Sequence, residues 1–409
     1  MNMKCRLLAV AVSGGIFTVV HPAFAQTWTQ TSAPVTNLQW QSIAASADGT
    51  HLVATTSTGS QPLSGPIYTS ADSGKTWMSN AISVQNWVGT ASSADGTQLL
   101  ALVPQSSRIA ASTNSGASWT FSIAPAQLGC VASSADGAKV VSGVRFNGSI
   151  YSSTNSGTNW TPAPNTSGIS WRSIASSADG MKCVAVGEIA GRPVGVIYTS
   201  TDSGNTWISN NAPNLLWVSV ASSADGNILV AAPGGFNFSK GPLAISTNSG
   251  LSWFTNTSPV LAWTAAASSA DGSKLVATAL AADGNNTFAN SIFTSTDLDA
   301  TWIPNTVPAQ NWSSVVSSAD GNVLLAGTIY GGIWISQSAI SPRLNASSLG
   351  NNLILSWTIP STGFALQQSF DLISWATVSD PPALNFVNLQ YQFTVPLTNS
   401  AGFFRLASP

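Results

Sequence analysis

Glu188 and Asp283 are the two carboxylates of residues 26–340 that stand outside any recurring motif. A pair of carboxylates is what glycoside hydrolysis requires, one protonating the leaving oxygen and one acting as base or nucleophile, roughly 5–9.5 Å apart. Of the fifteen acids in the 409-residue chain, seven sit in a repeated tetrapeptide and four in a second repeated motif (Asp72, Asp202, Asp297, Asp299). Two more, Asp371 and Asp380, lie near the C-terminus. The spare pair falls in loops of the fourth and sixth repeats, which are not neighbours. Glu188 and Asp283 are therefore weak catalytic candidates and read more readily as solvated loop charges.

The cations are distributed less evenly. Arg108, Arg145, Arg172 and Arg192 cluster in the second to fourth repeats, each at a loop margin or the start of a strand. Lys75, Lys139, Lys182 and Lys274 fall beside the repeated turns instead. The loop Phe236-Asn237-Phe238-Ser239-Lys240 adds aromatics of the kind that stack on sugars or anchor partners. Four arginines with Phe236 and Phe238 are the candidate ligand-binding set, for an anionic or glycan ligand. The alternative is scattered surface arginines and loop aromatics that pack on neighbouring repeats.

Other chemistries lack their residues. His51, Cys130 and Cys183 are the only histidine and cysteines after residue 25, too few for a zinc site. No Gly-rich nucleotide loop accompanies a strand–helix unit, so neither metal nor cofactor is expected. Asp, Glu, Lys and Arg make up 7% of the chain, against about 25% in typical soluble domains. Thirteen basic residues in a chain of net charge −2 exclude sequence-independent nucleic-acid binding, which needs clustered cations. The two cysteines occupy positions that other repeats fill with small or apolar residues. A disulfide between them is open, with two buried thiols the favoured reading.

These residues are positioned by a repeat. Ser-Ala-Asp-Gly occurs seven times, with its Asp at 48, 95, 136, 179, 225, 271 and 320. Spacings run from 41 to 49 residues, within the range of a four-stranded propeller blade. Eight residues before the Asp stands a Trp in six copies (Trp40, Trp87, Trp171, Trp217, Trp263, Trp312), and Leu128 in the third. An apolar run follows each Asp-Gly. A second motif, Ser70-Ala71-Asp72-Ser73-Gly74-Lys75-Thr76-Trp77, occurs in six copies, five of them at later positions. Asn114, Asn155 and Asn248 replace its Asp, and either side chain folds an Asx turn onto the backbone. Tyr68, Tyr151 and Tyr198 share one repeat position and read as packing residues, leaving Tyr330 unassigned.

The second motif resembles the Asp-box, or BNR repeat, of sialidase-like propellers. That resemblance implies four-stranded blades with a box at each third turn, serving folding and neither catalysis nor metal binding. A sialidase would further imply three arginines on a substrate carboxylate, a Tyr–Glu nucleophile couple and an Asp acid, and no such couple can be named here. Short regular repeats are also similar to photosystem II assembly-factor-like propellers, which are non-enzymatic partners. Xyloglucanase-type enzymes carry Asp-boxes too, with two propellers and acids that this chain lacks.

Both turn motifs then lie on one face of a disc, and the variable loops on the other. The seventh repeat lacks its box, while Trp28 sits where a fourth strand's Trp belongs. Thr27–Thr31 is therefore expected to close the ring from the N-terminus. Residues 1–25 read as a signal peptide, with Lys4 and Arg6 before the apolar stretch and Ala23-Phe24-Ala25 at the cleavage position. Residues 26–340 read as the seven-bladed propeller and 341–409 as a small C-terminal β-sandwich. The expectation is an all-β, exported (secreted or periplasmic) monomer without a membrane span. It binds a protein partner or glycan through its variable face, the alternative being a glycoside hydrolase or sialidase-like enzyme.

Overall fold

The computed structural model describes residues 27–407, apart from positions 36–37, 59–63, 81, 84, 190, 193, 235–239, 256–257, 283–287, 299, 339–341, 361–362 and 397–401. The described chain is all-β save for one 3-10 turn, Pro104–Ser106. Seven four-stranded antiparallel sheets account for residues 28–337. In the first, Leu38–Ala45, Leu52–Thr58, Ile67–Ser70 and Met78–Ser79 pair in chain order. Five more repeat that order. The seventh joins Trp312–Ser317, Val323–Thr328 and Ile333–Gln337 to the N-terminal strand Trp28–Gln30. Trp28 pairs with Ser336 and Gln30 with Trp334, so the two ends of the repeat array share one sheet.

Each sheet's first strand packs beside the first strand of the next, and Trp312–Ser317 returns to Leu38–Ala45. A ring of backbone hydrogen bonds runs along the ends of these strands. Ala47 donates its N–H to Ala94 O, and Ala94, Ala135, Ala178, Ala224, Ala270 and Ala319 continue in turn until Ala319 N–H reaches Ala47 O, all at 2.6–2.8 Å. These are the alanines of the seven Ser-Ala-Asp-Gly turns.

Second strands are buried on both faces, as stacked sheets demand: Leu99–Val103, Val140–Val144 and Leu229–Pro233 have no exposed residue. Fourth strands, such as Met78–Ser79 and Ile208–Ser209, are two residues long and exposed, which leaves only a short free edge. The six first-strand tryptophans are 0–1% exposed and Leu128 fills their place at 1%. Trp40 lies against Tyr68 and Trp77 of its own sheet and clusters with Val323 and Leu325 of the seventh. In the third sheet, Gly143 makes the room: a Cβ there would lie 2.5 Å from Trp171 Cβ of the fourth.

The turns are built from side-chain hydrogen bonds. Ser93 Oγ donates to Asp95 Oδ1 at 2.5 Å and accepts from Gln98 N, while Asp95 Oδ1 accepts from Thr97 N and Gly96 stands at φ +72°. In the second motif Ser70 Oγ donates to Asp72 Oδ1, and Asp72 accepts from Thr76 N and Thr76 Oγ1. Here two consecutive residues are left-handed, Ser73 at φ +58° and Gly74 at +81°. In the last copy Leu298 takes this conformation at φ +54°, while Asp299 lies outside the described residues.

Cys130 and Cys183 are free, buried thiols of one apolar cluster, and burial pushes both up to about 12. Residues 345–407 form two further antiparallel sheets, of four and three strands, around Leu355, Trp357, Leu366 and Phe404. No helix among the described residues is long and apolar enough to cross a membrane.

Removing residues 26–32 deprives the seventh sheet of its outer strand and of Trp28, 5% exposed. Loss of that indole alone should cost about 3–5 kcal/mol, read as an early thermal transition by circular dichroism. An unchanged midpoint contradicts the closure.

Burial raises the Asp95 carboxyl, but the hydrogen bonds from Ser93 and Thr97 outweigh it and hold it below its ordinary value. Asp72, Asp136, Asp202, Asp225 and Asp297 share that balance and direction. A carboxyl lowered in the native state binds its proton less readily than in the unfolded chain. Its stabilisation is therefore present above the ordinary value of 3.8 and lost as pH falls through the native one. Denaturant midpoints should drop below about pH 4, and midpoints that stay level to about pH 2 would remove these turns from the acid response.

Candidate functional site

A bulge recurs in the first strands. Pairing skips one residue after the Trp position, at Gln41, Gly129, Arg172, Val218, Thr264 and Ser313. Such a skip re-aims one side chain out of the ladder. In the fourth sheet the skipped residue is Arg172, within Ile169–Ser176 and not at its start. Its Nη2 lies 3.1 Å from Glu188 Oε2.

Glu188 corrects the sequence reading: it belongs to the strand Cys183–Ile189, paired with Ser170 and Gly195, and is no loop residue. Asp283, its suggested catalytic partner, lies outside the described residues, as do Phe236 and Phe238.

Arg145 follows the strand Val140–Val144 in the third sheet, at the turn towards Ile150–Ser153. That turn leans onto the fourth sheet: Gly148 N donates to Ile169 O at 3.0 Å and Asn147 N to Ser170 Oγ at 3.4 Å. Gly129, the skipped residue of the third sheet, leaves the space that Arg145 enters, since a Cβ there would stand 2.6 Å from Arg145 Cβ. Arg145 and Arg172 are thereby brought together across a sheet boundary. Burial first, and then the like charge of Arg172, hold the Arg145 guanidinium below its ordinary pKa. Its Cζ lies 5.5 Å from the ring centre of Phe146, which is 64% exposed.

The other two arginines stand apart. Arg108 opens the strand Arg108–Ser112 of the second sheet and lies over Phe121 at 5.7 Å. Arg192 is exposed in the turn after Ile189, held by Arg192 N donating to Ile189 O. All four lie on the face opposite the repeated turns. On the turn face, by contrast, Lys139 and Lys274 are committed to bracing neighbouring sheets, with Nζ donating to Asp179 O and to Asp320 O, both at 2.7 Å.

Sequence reasoning missed Phe146, although Arg145-Phe146-Asn147-Gly148 is a turn signature that exposes its first residues. It also left Tyr330 unassigned. The structure places Tyr330 on the same face as the arginines, 52% exposed at φ +76°, with Gln39 Nε2 donating to its hydroxyl. No group of three or more potential metal ligands occurs among the described residues. Arg172 is paired with Glu188 and Arg145 stands near it without a carboxylate partner among the described residues, and an acceptor-only group such as a carboxylate, sulfate or phosphate complements two neighbouring guanidiniums.

The chain is similar to several solved β-propellers. YCF48 bound to D1 peptide superposes with a TM-score of 0.56 at 15% identity, over 78% of this chain and 99% of that one. The GH74 xyloglucanase from Xanthomonas campestris gives 0.56 at 15% identity over 81% of this chain, which spans 59% of the enzyme. Hydrazine synthase from Kuenenia stuttgartiensis gives 0.55 at 13% identity, over 80% and 100%. No protein-family model matches the sequence, and no curated protein does. At these identities the likeness shows the propeller fold.

Glu188→Gln removes the carboxylate that pairs with Arg172 at 3.1 Å. Because both partners of the pair are partly exposed, the loss should stay within about 1 kcal/mol. The deficit should shrink in molar salt, which screens the two arginines from each other. Denaturant titration at low and high salt checks this; a salt-independent loss points to packing instead.

Proposed function

We propose that this is an exported, non-catalytic β-propeller that binds an anionic group of a partner molecule through its loop face. The reading takes residues 26–340 as a seven-bladed propeller with six Asp-boxes, closed by the N-terminal strand, and 341–409 as a small β-sandwich. Residues 1–25 are the signal that would send the chain to the periplasm or the medium as a monomer. Arg145 carries the functional part. Its guanidinium is half-buried beside a second arginine, Arg172, which is itself paired with Glu188. Folding alone gains little from holding two like charges together out of water, whereas an incoming anion relieves both the repulsion and the desolvation.

A protein partner is placed ahead of a glycan. The exposed Phe146 beside Arg145 supplies the aromatic and arginine pairing that anchors protein interfaces. Among propellers of similar fold, YCF48 is the one bound to a D1 peptide. Arg108 and Arg192 would extend the positive rim and contribute chiefly to association rate.

Fluorescence anisotropy against a panel of acidic peptides, with carboxylated and sulfated glycans in parallel, tests the proposal. Arg145→Ala should weaken the best binder about tenfold or more, the loss of one charge-assisted hydrogen bond. Lys75→Ala, on the opposite face, should leave it unchanged. Saturable binding indifferent to Arg145, or none in either panel, overturns the reading.

A further inference from the structure

The face bearing the repeated turns is not open. Leu389, from the C-terminal part of the chain, lines a cavity of about 180 Å³ at the channel mouth together with the seven ring alanines and partly covers it. Below it the channel is lined by hydroxyls: Ser92, Ser133, Ser176, Ser222, Ser268 and Ser317 each donate to the carbonyl of the next residue. Seven alanine methyl groups are thus an apolar collar on a polar tube, and a branched aliphatic side chain occupies it. Leu389 packs with the ring alanines on both sides, joined by Ile359, Leu384 and Tyr391 on one of them.

The segment holding Leu389 is built to present it. Val387 N donates to Asn385 Oδ1 at 2.9 Å and Gln390 N to Asn388 Oδ1 at 3.2 Å. Between them Leu389 stands at φ +53°, a conformation uncommon for a residue other than glycine, with its carbonyl accepting from Ile359 N at 3.0 Å. Such local strain persists where the surroundings over-determine it. The C-terminal sheets also have a core of their own, around Leu355, Trp357, Leu366 and Phe404, to which Leu389 does not belong. Docking and folding of this part are therefore separable.

We infer that the C-terminal module is a reversible stopper for the ring, with Leu389 as its knob and the seven-alanine collar as its socket. Docked, it closes the channel on the turn face, so that a ligand approaches from the loop face. Released, it opens the channel on the turn face and bares an apolar collar.

Small-angle X-ray scattering of the full chain and hydroxyl-radical oxidation of Tyr391 test this together. The wild-type chain should scatter as one compact particle with Tyr391 protected. Leu389→Asp, and independently Leu384→Asp from the same contact, should enlarge the radius of gyration. Tyr391 oxidation should rise about tenfold, as expected when one partly buried leucine no longer holds the docked state. Leu389→Met should behave as wild type, and the thermal transition of the ring should be retained in all variants. Two independently moving bodies in the wild type, or Asp variants indistinguishable from it, overturn the inference.

Discussion

Seven amide-to-carbonyl hydrogen bonds that bite their own tail constrain everything else in this molecule. Each alanine donates to the next sheet and accepts from the previous one, so no repeat can shift along its neighbour without breaking two bonds. An inner backbone group left unpaired in such a place costs about as much as a lost hydrogen bond. Every repeat must therefore deliver its alanine at the same height and orientation. Ser and Asp on either side lock the local turn that does so, and this is why the tetrapeptide recurs while the loops between vary by several residues.

That constraint divides the molecule into a conserved-by-geometry face and a free one. Charges on the turn face are absorbed by structure: aspartates cap turns, and lysines span sheet boundaries to neighbouring carbonyls. On the other face the loops carry no such repeated duty, and Arg145 and Arg172 stand there in partly buried positions. The low charge content follows from the stacking of sheets, which leaves little solvated area beyond rims and turns.

The architecture was legible because its signals are local and repeated. Trp at a fixed distance from Asp marks the first strand, and Leu128 in the third copy keeps the position by being equally buried. The absence of a box after Ser336 and the early Trp28 together pointed to the pairing seen between them. What stayed hidden depends on contacts between elements remote in sequence. Arg145 and Arg172 meet only because a turn leans over a glycine in the next layer, and neither residue's surroundings in the sequence say so. Glu188 looked like a loop residue because the strand holding it runs longer in the fourth sheet than in its neighbours. The seating of Leu389 on the ring had no sequence signal, since an apolar residue in a C-terminal strand-rich segment is ordinary.

The pairing of Trp28–Gln30 with Ile333–Gln337 also sets a timetable. Gln30 reaches Gly331, 301 positions away, so the first strand to be synthesised is among the last to find its partner. Threaded N-terminus first, whether from a ribosome or through a pore, the chain carries an unmatched strand until the final repeat has emerged. Completion of the ring thus waits on the last repeat. A truncated chain lacks the partner for its own beginning, and its exposed edge marks it for aggregation or proteolysis before it can pass as finished.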